Sequence, residues 1–82
     1  MGNTVSEGSD WKYFKSSVGL YRVKEGEIEG LHFKTLKWKP FDYANFDPPV
    51  GSYGWSMNFD YLTPERAKNY AKAEYGLDKL PE

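Results

Sequence analysis

The clearest patterns of apolar and polar positions lie in the middle and at the end of the chain. Val18 to Lys24 and Glu27 to Phe33 both alternate, and they flank Glu25-Gly26, a two-residue hairpin turn in which Gly26 is free to take positive φ. That turn fixes the register. Lys24 faces Glu27 and Arg22 faces Glu29 on one side of the sheet, while Val23 faces Ile28 and Tyr21 lies over Gly30 on the other. A slip of one residue destroys all four pairs. Further from the turn, Leu20 with Leu31 and Val18 with Phe33 make the charged side apolar. The run Trp55-Ser56-Met57-Asn58-Phe59-Asp60-Tyr61 alternates strictly and reads as a further strand with four large side chains on one face.

A helix follows. Thr63 suits the N-cap, Pro64 the first helical position and Gly76 the left-handed residue that ends the helix, with Leu77 as the apolar contact behind it. Ala67, Tyr70, Ala71 and Tyr75 fall on one stripe, and the two alanines let the helix backbone sit close to a sheet. Trp11 to Lys15 reads as a short first strand with Trp11 and Tyr13 on one face and Phe14 on the other, broken at Ser16-Ser17. Leu36 and Trp38 carry the third strand on past a bend at Lys34-Thr35, and Pro40 ends its pairing. These elements predict an α+β domain. Its antiparallel sheet has three or four strands (Trp11 to Lys15, Val18 to Lys24, Glu27 to Trp38, Trp55 to Tyr61), and one C-terminal helix packs on one face. Met1 to Asp10 is expected as a mobile tail and residues 11–82 as a single domain.

Composition sharpens this picture. In 82 residues, three Trp, seven Tyr and five Phe supply a concentrated core despite a mean hydropathy of -0.78, which a domain this small needs. With no Cys, disulfide stapling and thiolate chemistry are excluded. No apolar run approaches a membrane span and no secretory leader is evident, so the cytoplasm is the default location. Met1-Gly2-Asn3-Thr4-Val5-Ser6 fits an N-myristoylation pattern with Gly2 as acceptor, and only that modification would bring the chain to a membrane. The net charge of -1 hides an asymmetry. Trp11 to Phe41 holds seven basic and three acidic residues, a net of +4, whereas Asp42 to Leu62 holds three acids and no base.

Catalytic chemistry has little to draw on. His32 is the only histidine and falls mid-strand, and no nucleophile motif or phosphate-cradling glycine loop is present. Asp42, Asp47 and Asp60 do not match a calcium loop, so no catalytic residue, metal ligand or cofactor is assigned. The segment Pro40 to Gly54 is the functional pointer. It lacks periodicity, is long for a loop, and carries Phe41, Tyr43, Phe46 and Tyr53 among prolines and glycines. The expectation is a non-enzymatic interaction module in which Phe41, Tyr43, Phe46 and Tyr53 anchor a protein partner and Asp42 and Asp47 add polar selectivity. The competing reading folds those rings back as a satellite core. One helix would leave a sheet face bare, and a homodimer is the cheapest way to cover it. Alternatively, Lys12, Lys15, Lys34 and Lys37 with Trp38 and its neighbouring rings form a nucleic-acid face, against which stands a pI near 5.8.

The order hairpin, Lys37-Trp38-Lys39-Pro40-Phe41, Trp-bearing strand and terminal helix resembles the layout of chromo domains. That resemblance covers Leu20 to Tyr75 loosely and implies an aromatic cage that reads methyl-lysine through cation–π attraction. The family has Gly where Pro40 stands, a much shorter connection than Pro40 to Gly54, and Trp-Glu-Pro where this chain has Trp55-Ser56-Met57. Only Trp38 and Phe41 then remain as candidate cage residues, and no function is carried over.

Overall fold

A computed structural model describes residues 11–81, so the Met1 to Asp10 tail and the Gly2 acylation pattern lie outside the described residues. The architecture is α+β. The strands β1 (Lys12–Ser16), β2 (Gly19–Lys24), β3 (Glu27–Leu31), β4 (Trp38–Phe41) and β5 (Asp60–Leu62) form one antiparallel sheet in the order β4-β3-β2-β1-β5. The helices are α1 (Tyr53–Asn58) and α2 (Pro64–Tyr75).

The central hairpin has the expected register: Tyr21 pairs with Gly30, Arg22 with Glu29, Val23 with Ile28 and Lys24 with Glu27. Gly30 is required there. A Cβ at that position would come within 2.7 Å of the Phe41 ring and 3.0 Å of the Tyr21 ring, so the missing side chain is what lets both rings lie across the strand. Helix α2 also starts and stops as expected. The Thr63 hydroxyl accepts from the Arg66 N–H, Pro64 opens the first turn, and Gly76 closes the last one at φ 72°.

Three expectations need correction. The sheet has five strands rather than three or four, because the predicted Glu27-to-Trp38 strand is two strands joined by a turn over residues 32–37. Pairing does not stop at Pro40, which lies opposite Glu29 in β4, an edge strand where a missing N–H is tolerated. The run Trp55 to Tyr61 is not one strand. Ser52 caps α1 by accepting from the Trp55 N–H, and a strand resumes only at Asp60. The reason is a degeneracy of period: residues i and i+4 share a face both in a strand and in a helix. Trp55 and Phe59 therefore stack at 3.8 Å on one side of α1, while Met57, which a strand would have buried with them, is 67% exposed.

Two layers cover the sheet. On one face Tyr13, Leu20, Leu31 and Leu62 pack beneath Ala67 and Ala71 of α2, both fully buried, with Tyr70, Tyr75 and Leu77 around them. Beside the helix, the nearly buried Arg22 guanidinium sits 4.1 Å from the Trp11 ring and 4.4 Å from the Trp38 ring, and pairs with Glu29 at 2.6 Å. Trp38 in turn donates its indole N–H to the Pro81 carbonyl. On the other face the chain from Asp42 to Phe59 folds back over the strands. Phe46, Trp55 and Phe59 from that segment join Phe14, Tyr21, Phe41 and Tyr61 from the sheet in one cluster of rings, most of them edge to face.

Candidate functional site

The residues expected to anchor a partner are divided by this second layer. Phe46 is its hub. The ring is half-buried and lies 5.7–6.3 Å from Tyr21, Phe41, Trp55 and Phe59, which is the satellite-core arrangement. Tyr43 is half-buried. Tyr53 is 79% exposed on α1, one turn from the exposed Met57. Asp42 is exposed and accepts from the Asn45 side-chain amide at 2.7 Å, a bond that holds its carboxyl below the usual range. Asp47 is exposed at the start of the Pro48-Pro49 step. Phe41 belongs to both worlds: it packs on Tyr21 and Phe46, yet stays 42% exposed at the sheet edge.

A concave feature lies at that edge. A groove of about 200 Å³ is lined by Val18, Gly19, Leu20 and Tyr21 from the β1–β2 turn and β2, by Gly30, Leu31, His32 and Phe33 from β3 and its turn, and by Lys39 and Phe41 from β4. Local chemistry builds it. The Ser16 hydroxyl accepts from the Val18 N–H and steadies the first turn. In the second turn His32 Nδ1 accepts from the N–H groups of Lys34 and Thr35, at 3.1 and 3.3 Å, and Leu36 adopts a left-handed backbone at φ 58°. The histidine ring stacks on Phe33 with 5° between planes, and Phe33 stands 71% exposed at the rim opposite the equally bare Val18. Burial pushes the Tyr21 phenol above its ordinary pKa, because the ring lies under Phe46 and Phe59 while its hydroxyl must stay neutral.

Sequence reasoning paired Val18 with Phe33 as the outermost rung of the hairpin; both instead lie in turns beyond the strand ends. The face of Arg22 and Glu29 does turn apolar away from the hairpin turn, and Leu20 and Leu31 on it enter the core beneath α2; only the outermost rung falls beyond the strands.

The lysine–aromatic face is not assembled on one surface. Lys12 and Lys15 project to opposite sides of β1, and Lys15 reaches Asp60 at 3.6 Å. Lys34 and Lys37 occupy the turn before β4, and Trp38 is engaged by Arg22 on the helix side. Trp38 and Phe41, the two cage candidates, are three residues apart on one strand and so face opposite sides. Among the described residues no three His, Asp or Glu side chains converge to hold a metal ion, so Asp42, Asp47 and Asp60 do not form a site. No described helix is long and apolar enough to cross a membrane. No protein-family model, curated protein or solved structure matches the chain.

Proposed function

We propose that the protein is a small non-enzymatic interaction module that captures a segment of a protein partner by seating an apolar side chain in the groove between Val18, Phe33 and Phe41. One observation carries the reading. Three of the large apolar side chains that remain exposed surround the same concavity, rather than being scattered singly. The anchor is then Phe41 alone of the expected loop residues, working with Val18 and Phe33. His32, the only histidine in the sequence, spends its Nδ1 on the turn that holds Phe33 in place, which favours a binding role over a catalytic one.

The test is a peptide-display selection against the immobilised full chain, followed by amide NMR mapping of selected peptides. Binders are expected to shift Val18, Gly19, Gly30, Phe33 and Phe41, and Phe33→Ser and Val18→Ser are expected to abolish binding while leaving the melting temperature unchanged. Wild-type binding by both variants overturns the proposal.

Self-association is a second reading with its own observation. The homodimer argued from a bare sheet face loses that premise, since residues 42–59 cover the face, but Tyr53 and Met57 still form an exposed apolar pair on α1. A monomer mass by sedimentation equilibrium across the accessible concentration range removes this reading.

A further inference from the structure

We infer that the groove takes an acidic-hydrophobic peptide, in which a carboxylate next to the apolar anchor is held by Lys39 in the groove lining, with Lys34 beside the Phe33 rim. This deepens the interaction-module reading and rests on it. The groove lining contains a lysine and a histidine but no carboxylate. From His32 to Phe41 the chain carries three lysines and no acid, although the protein as a whole has a net charge of -1. Of the three, Lys39 lines the groove and Lys34 lies 5.8 Å from the Phe33 ring at its rim, whereas Lys37 lines a separate concavity with Arg22, Glu29 and Trp38. Glu29, the acid nearest in β3, is tied to Arg22 on the opposite face. Among the described residues the ion pairs are Lys15 with Asp60 and Arg22 with Glu29, and no described carboxylate lies within 4.0 Å of Lys34 or Lys39. Lys39 pairs with Gly30 across the β3–β4 ladder, on the same side as the Tyr21 and Phe41 rings, which makes it part of the groove lining. Cations beside an apolar concavity that hold no ion pair among the described residues favour a ligand that supplies both an apolar body and negative charge.

Phosphates could use the same lysines, but a base would need a free aromatic face. Phe33 has one face on His32 and offers only the other, and Trp38 points to the other side of the sheet against Arg22, so successive bases find no platform of rings here. The concave, apolar lining therefore favours a peptide.

The experiment uses three displayed libraries that share a randomised apolar centre and differ in flanks of Glu, Ser or Lys, selected in parallel on the full chain, with affinities by calorimetry. Glu-flanked binders are expected to be about tenfold tighter than Ser-flanked ones at about 0.05 M salt, the gap closing at about 0.5 M as screening shortens the reach of the lysines. Lys39→Glu is expected to invert the order of Glu- and Lys-flanked peptides with no change in melting temperature. Equal affinity of Glu and Ser flanks at low salt overturns the inference and leaves the groove reading standing. No binder that shifts Val18, Phe33 and Phe41 overturns the groove reading itself. A single-stranded oligonucleotide that displaces Glu-flanked peptides from the groove assigns the lysines to phosphate and likewise overturns the inference.

Discussion

The two faces of this sheet are closed by opposite means. Under α2 the innermost contacts are small and aliphatic, Ala67 and Ala71 against Leu20, Leu31 and Leu62, with Tyr13 beside them and larger rings only around the margin, and the covering element carries its own caps and its own backbone hydrogen bonds. Under residues 42–59 the contacts are rings on rings, and the covering chain has only six helical residues. A helix of good local propensity needs only a modest apolar stripe to dock. An irregular segment has no such internal support, so its order depends on the rings it buries, each worth more area than an aliphatic side chain. The aromatic richness of this chain is thus largely the means by which a loop serves as a layer.

That contrast can be broken from either side. Trp55→Ala should have the largest effect, about 3–5 kcal/mol in urea unfolding, and amide exchange should show protection lost from residues 42–59 while α2 stays protected. Leu20→Ala, fully buried under α2, should cost about 2–5 kcal/mol, with the loss shared by the whole domain; confinement of that loss to α2 would contradict the account. Gly30→Ala comes next at about 1–3 kcal/mol, because its methyl must displace the Phe41 and Tyr21 rings, and pairing it with Phe41→Ala should recover part of the loss. The caps sharpen the comparison further. Thr63→Ala should cost about 1 kcal/mol and Ser52→Ala about 0.5 kcal/mol, the low end for a lost cap, since stacking of Trp55 on Phe59 rather than capping holds α1.

The smallest effect concerns Tyr21. Its folded pKa is raised by burial, so the stability tied to its neutral phenol is fully present below the ordinary value near pH 10 and is lost as pH climbs from there through the folded value. The difference in unfolding free energy between wild type and Tyr21→Phe should be flat up to about pH 9 and then fall against wild type. A difference that stays flat through about pH 11 would show that the phenol is not held neutral by the loop layer.

Where sequence and structure agree, the determinants are local. The Glu25-Gly26 turn with its charge and apolar pairs dictated one register, and Thr63, Pro64 and Gly76 bracketed one helix. Where they part, the determinants are tertiary. Trp55 and Phe59 satisfy both periods, and only the Ser52 cap together with the exposure of Met57 separates helix from strand. The candidate site follows the same division. Phe41 was legible as a loop aromatic, but that Phe46 turns inward while Val18 and Phe33 turn outward depends on which rings the far end of the chain brings to the face. In the span from Glu27 to Trp38 the bend at Lys34-Thr35 was legible, but not that it reverses the chain into a separate strand, because Leu36 and Trp38 continue an alternation that the left-handed backbone at Leu36 interrupts.

The placement of the three tryptophans has an optical consequence. Trp11 and Trp38 flank one guanidinium on the helix side, whereas Trp55 lies flat on Phe59 on the loop side. Replacing Trp11 and Trp38 by Phe leaves an emitter that sees the loop layer alone, and replacing Trp55 leaves two that see the helix side and its buried charge. The same domain, excited at one wavelength, can therefore report the opening of each layer separately.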